Sequence, residues 1–165
     1  MKKYIIVFII FGFNLSSCQN LNKEKMIEKF IKDQFNDKIS TDDVVDIYIE
    51  VKPDSLNKFS ISDRKKIASG IIEKARNNQS DDSWLIPNYE IKFINDPRVY
   101  PYKKYKNLDK IEIGTSNKYK DRIYVLLDTK NEEILQYFLL NEDNDKILSF
   151  SLFIKSENLG YFFTY

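Results

Sequence analysis

The chain opens with an uncharged apolar run from Tyr4 to Phe13, preceded by Lys2 and Lys3 and stopped by Asn14, Ser16 and Ser17. Its length suits the apolar core of an export signal, whereas a helix that crosses the hydrocarbon needs about 20 apolar residues. The period then changes. Met26, Ile27, Phe30, Ile31 and Phe35 recur at helical spacing, which predicts an amphipathic helix over Asn22 to Phe35. Val45, Ile47, Ile49 and Val51 alternate with Val44, Asp46, Tyr48 and Glu50, the pattern of a half-buried strand that Pro53 ends. Ser60 and Asp63 have the spacing of a capping box, and Ile67, Ala68, Ile71, Ile72 and Ala75 carry a second helix to Arg76. Gly70 interrupts that helix at a cost of about 1 kcal/mol relative to alanine, so packing must hold it or a neighbouring backbone must come close. Tyr89, Ile91 and Phe93 alternate as a strand, and Ile111 with Ile113 suggests a further short one.

From Arg122 the pattern becomes regular. Ile123 to Asp128, Glu133 to Leu140, Lys146 to Ile154 and Leu159 to Tyr165 are apolar segments separated by short polar ones, as in an antiparallel meander. In the third segment Leu148, Phe150, Leu152 and Ile154 fall on one side and Ile147, Ser149, Ser151 and Phe153 on the other. One face is the more apolar and needs a covering layer. The expected fold is α+β, two helices packed on a curved, mainly antiparallel sheet with a C-terminal four-strand meander.

Leu15-Ser16-Ser17-Cys18, directly after the apolar run, resembles the lipobox of bacterial lipoproteins. The resemblance covers only the first twenty or so residues. It implies removal of residues 1–17 as a signal peptide and attachment of diacylglycerol to Cys18. The 148 residues that remain are about the size of one domain, read as a tether over 18–25 and one globular domain over 26–165. One acyl chain binds a bilayer marginally and two anchor it stably, so the implied location is the cell envelope, facing outside the cytoplasm. Removing the signal takes away two lysines and no acid, leaving 24 basic and 25 acidic residues. No global electrostatic partner follows from so even a balance. With Cys18 acylated there is no second cysteine for an internal disulfide, and stability has to come from packing.

The absence of histidine excludes Ser-His-Asp triads, Cys-His dyads and histidine-ligated metal sites. Acylation of Cys18 removes thiol catalysis as well. Gly12, Gly70, Gly114 and Gly160 lie too far apart for a phosphate-binding glycine loop. Carboxylate pairs drawn from Asp42, Asp43, Asp46, Asp81, Asp82, Glu132, Glu133, Glu142, Asp143 and Asp145 stay open to acid–base work, although most sit in polar turns. The run Asn141 to Asp145 offers oxygen ligands at alternate positions but fails the EF-hand pattern, with Lys146 where the glycine belongs and Leu152 where the glutamate belongs. A hairpin turn explains it better. No cofactor and no metal are called for.

The most unusual composition lies in Arg98-Val99-Tyr100-Pro101-Tyr102-Lys103-Lys104-Tyr105-Lys106, with four basic residues, three tyrosines and no acid. Tyrosine offers flat contact area and lysine attracts phosphate or carboxylate. Arg98, Tyr100, Tyr102, Lys103, Lys104, Tyr105 and Lys106, with Trp84, are therefore the candidate binding patch for an anionic or acidic envelope partner. Aromatic and basic residues also interleave in nucleic-acid grooves, but export argues against that partner. The competing reading is an edge strand whose tyrosines pack inward while its lysines block edge pairing. The expected function is a membrane-anchored binding or protein-interaction module, monomeric by default and not an enzyme. The alternatives are an envelope enzyme using carboxylates or a Ser-Lys pair, and a structural or stress-related lipoprotein without a ligand site.

Overall fold

The computed structural model describes residues 23–53, 58–77, 89–156 and 158–165. Cys18 and Trp84 lie outside the described residues. Helix α1 covers residues 23–34, α2 Thr41–Tyr48 and α3 Ile61–Arg76. The strands are β1 (Arg98–Pro101), β2 (Glu112–Ile113), β3 (Ile123–Leu127), β4 (Ile134–Leu140), β5 (Ile147–Ser149), β6 (Leu152–Ser156) and β7 (Leu159–Phe162). They form a four-stranded antiparallel sheet in the order β1-β3-β4-β5 and a three-stranded sheet in the order β2-β7-β6. The fold is α+β.

Both amphipathic helices form where the apolar spacing places them. At the start of α3 the Ser60 hydroxyl accepts from the Asp63 amide and the Asp63 carboxylate accepts from the Ser60 amide, so two amides that the helix cannot satisfy internally are paired. Ile27, Phe30 and Ile31 of α1 and Ala68 and Ile72 of α3 enter one core with Tyr124, Leu126, Phe138 and Leu140 of the large sheet. Phe30 stands at its centre, its ring within 5.7 Å of Tyr48, 6.2 Å of Phe138 and 5.2 Å of Phe150.

Two segments read as strands are helical. Residues 41–48 form α2 because Ser40 caps it, accepting from the Asp43 amide, and Asp42 and Asp43 sit in the first turn where the helix dipole favours negative charge. Val44, Val45 and Tyr48 are buried on one helical face while Ile47, an inward position in the strand reading, is 49% exposed. Among the described residues the strand reading survives as an isolated parallel bridge from Ile49 to Ile147 and a backbone hydrogen bond from the Lys52 amide to the Tyr165 carbonyl. Tyr89–Phe93 is a 3-10 helix, with Ile91 buried and Phe93 74% exposed.

The C-terminal strands occur as the alternation requires, but the third segment breaks after Ser149. The chain leaves the large sheet at Phe150 and Ser151 and enters the small one as β6. Buried polar groups satisfy the backbone at this corner. Ser149 Oγ donates to the carbonyls of Ser151 and Phe163, Gln136 Nε2 donates to the carbonyl of Phe150, and the hydroxyls of Ser151 and Tyr165 share a hydrogen bond. The small sheet then folds under the large one. Leu152, Ile111, Ile113, Ile154 and Phe162 pack against Ile123, Val125, Leu127, Tyr137 and Leu139, so the large sheet has helices on one face and strands on the other. Gly160 permits the close packing, since a Cβ there would lie 2.6 Å from Leu152 Cδ2 and 3.1 Å from Ile111 Cγ2.

Gly70 has no comparable role. Among the described residues a Cβ at that position meets no atom within 4 Å outside its own stretch of helix, so no neighbouring backbone or side chain there explains the glycine. Gly70→Ala is therefore expected to raise the unfolding free energy by about 0.5–1 kcal/mol through helix propensity and a less flexible unfolded chain. Urea denaturation of the two proteins measures the difference, and a loss of stability would show that the helix needs the glycine.

Candidate functional site

The tyrosine- and lysine-rich segment begins as an edge strand. Among the described residues β1 pairs only with β3, and the chain then turns through two short 3-10 helices, Tyr102–Lys104 and Lys106–Leu108. The tyrosines face inward. Tyr102 is 8% exposed and belongs to the core between the sheets, and Tyr100 and Tyr105 are half-buried against the same core with their rings 5.0 Å apart. These three rings therefore do not supply the exposed contact area that the sequence suggested. Arg98, Lys103, Lys104 and Lys106 are exposed. Lys103 has Asp121 at 3.8 Å, both side chains more than four-fifths exposed, a contact that solvent largely screens.

Beneath this segment lies a cleft of about 810 Å³, lined by side chains of the basic turn, the small sheet and the 3-10 helix Asn117–Arg122 that leads into β3. That volume falls in the range of small-molecule sites. Lys103, Lys106, Lys110 and Lys120 are cationic groups of its lining, and Asp109, Glu112 and Asp121 are the acids. Thr115, Asn117 and Asn158 offer neutral hydrogen-bonding groups, and Ile111, Ile113 and Ile123 an apolar floor.

Asp109 holds the cleft together. Its Oδ2 accepts from the Tyr102 hydroxyl at 2.5 Å, and its Oδ1 accepts from the Tyr137 hydroxyl at 2.5 Å and from the Ile111 amide at 3.1 Å. One carboxylate thus joins the basic turn, the centre of the large sheet and the approach to β2. Burial pushes both phenols well above their ordinary value, and the hydrogen bond and charge of Asp109 push them further in the same direction. They remain protonated donors across the physiological range. Arg122 is also buried, stacked on the Tyr119 ring at 4.6 Å, and its Nη1 has no hydrogen-bond partner among the described residues.

The remaining acids named from the sequence are dispersed. Asp42 accepts from Ser69 Oγ at 2.6 Å, Asp46 from Lys65 at 2.6 Å and Glu133 from Lys110 at 2.9 Å. A hollow of about 230 Å³ between α2 and α3 gathers Ser62, Ser69, Lys65 and Lys66. There Ser69 and Lys65 are each held by a carboxylate and not by one another. Asn141 to Asp145 is a turn in which Asn141 Oδ1 accepts from the amides of Asp145 and Lys146. Asp81 and Asp82 lie outside the described residues. No group of three or more acidic side chains among the described residues is placed to hold a metal ion.

Sequence reasoning missed Asp109, Arg122 and the lysines at 110 and 120. Asp109 carries no motif, and its partner Tyr137 lies 28 residues further on. No protein-family model, curated protein or solved structure matches the chain.

A phenol whose folded pKa exceeds the unfolded value contributes stability that is whole below that unfolded value, near pH 10, and is lost as pH rises toward the folded one. Stability is therefore expected to fall above about pH 10, and Tyr137→Phe should make that fall shallower. At neutral pH the same substitution should cost about 1.5–3 kcal/mol, because a part-buried carboxylate loses a donor. Urea titrations at a series of pH values measure both effects. An unchanged alkaline slope would mean that Tyr137 does not titrate as the Asp109 contact requires.

Proposed function

We propose that this chain is a membrane-anchored lipoprotein of the bacterial cell envelope, held by lipid on Cys18, and that its domain is a binding module with its ligand site in the cleft beneath the basic turn. The observation that carries the binding part is the cleft itself, in which lysines and neutral hydrogen-bonding groups surround an apolar floor. The mixture suits recognition of an anionic ligand more than catalysis, because Asp109, one of the acids of the lining, accepts three hydrogen bonds that serve the fold. The anchoring part rests on Leu15-Ser16-Ser17-Cys18 after the short apolar run. No helix among the described residues is long and apolar enough to cross a membrane, so lipid on Cys18 is the attachment that this reading requires.

Metabolic labelling with an alkyne fatty acid tests the anchor. The wild-type chain should take up label and Cys18→Ser should not, and the variant should move from the membrane fraction to the soluble one. Equal labelling of the two proteins would overturn the lipoprotein reading.

A further inference from the structure

We propose that the cleft receives the phosphate headgroup of an anionic phospholipid in the bilayer to which the domain is anchored. The inference rests on the anchored reading and names the ligand class of the same site. Of the four lysines of the cleft, Lys103 lies near Asp121 and Lys110 reaches Glu133, while Lys106 and Lys120 engage no carboxylate among the described residues. Both are exposed. Arg122, in the same turn as Lys120, has no counter-ion among the described residues and adds to the positive potential. Thr115, Asn117 and Asn158 suit the hydroxyl and ester oxygens of a glycerol phosphate, and Ile111, Ile113 and Ile123 suit the first methylenes beyond it.

Orientation makes a lipid the source of that phosphate. The first described residue of helix α1 lies five residues after Cys18, and five residues of chain span at most about 18 Å. The start of α1 lies by the same strand end as the basic turn, since Ile27 shares a core with Tyr124, which pairs with Pro101 at the entry to that turn; in keeping with this, burial raises the Glu24 carboxyl and the charge of Lys104 opposes the rise. Lys104 adjoins Lys103 of the cleft, so the cleft belongs to the end of the domain next to the anchor. Surface charges act on lipid headgroups only within a Debye length, about 8 Å at physiological ionic strength. A link that cannot exceed about 18 Å leaves the lysines able to reach the headgroups of the same bilayer.

The test uses protein made with its own signal, purified from membranes and reconstituted either into phosphatidylcholine vesicles or into vesicles of equal parts phosphatidylcholine and phosphatidylglycerol. A pulse of an amine-acetylating reagent followed by peptide mass spectrometry reads each lysine. Lys106 and Lys120 should react about fivefold more slowly on the anionic vesicles, the factor corresponding to roughly 1 kcal/mol per surface lysine, and high salt should erase the difference. Lys38 is exposed beyond the far end of α1 and should react equally on both. In Lys106→Gln/Lys120→Gln, which alters only exposed side chains, the protection of Lys103 and Lys110 should disappear. Equal rates at Lys106 and Lys120 on the two vesicles would overturn the proposal, as would protection of Lys38 to the same degree. Glycerol phosphate in solution over phosphatidylcholine vesicles separates the sources, because full protection by the soluble ester would make a free phosphate the ligand and overturn the lipid. Fatty-acid labelling of the same preparations keeps the two readings apart. Label on Cys18→Ser would remove the anchor, whereas loss of the vesicle difference with labelling intact would remove only the headgroup site.

Discussion

Every residue of Ile123–Leu127 is buried, and β3 lies between β1 and β4, so its backbone is hydrogen bonded on both edges and its side chains are apolar on both faces. A strand of that kind cannot be stable with one face in water, because the exposed apolar area would be too large. Tyr124 and Leu126 therefore require the helices, and Ile123, Val125 and Leu127 require a second layer on the opposite side. The three helices meet the first need through Phe30, whose ring touches both the sheet and α2. The small sheet meets the second with Leu152, Ile154 and Phe162.

Covering the second face demands that the chain leave one sheet and enter another, and the corner at Ser149 to Ser151 is where it does so. A sharp departure from a sheet exposes carbonyls to an apolar interior, which costs on the order of 1–3 kcal/mol for each group left unpaired. Ser149 and Gln136 supply partners for the carbonyls, and the hydroxyls of Ser151 and Tyr165 pair with one another. The polar residues on an otherwise apolar face are thus required by the topology. Tyr165 adds packing to this role, its ring stacked on Phe150 at 5.0 Å.

The cleft is a by-product of the same layering. The short β2 pairs with β7 through only two residue positions, which leaves space between the small sheet, the basic turn and the start of β3. Asp109 braces that space by gathering the two phenols and the Ile111 amide, and it does so with a charge that the surrounding lysines tolerate. Inward-facing tyrosines and outward-facing lysines in one segment are then compatible: the rings join the turn to the core, and the ammonium groups remain for a partner. On the proposed reading, the anchor and the site share one end of the domain because the first turn of α1 and the basic turn are neighbours.

The amphipathic helices and the strands β3 and β4 were legible from the amino-acid sequence, since the periodicity of Ile27, Phe30 and Ile31, the Ser60–Asp63 capping box and the apolar run at 123–127 are local patterns that packing reinforced. Residues 44–48 were not, because over so short a window Val45, Ile47 and Ile49 fit a strand while Val44, Val45 and Tyr48 fit a helix, and only the burial of the second set, with Ser40 as cap, favoured the helix. The break at Ser149 was likewise invisible, as an alternating segment does not say which sheet each half joins. The basic character of residues 98–106 could be read directly, but whether their tyrosines faced out or in depended on a core assembled from β3, β4 and the small sheet. Asp109 shows the division most plainly: its chemistry is a matter of one residue, while its role comes from Tyr102 and Tyr137. Local propensity and charge act between near neighbours and are written in the order of residues; the cleft and its brace depend on contacts between distant segments, which exist only once both faces of β3 are covered.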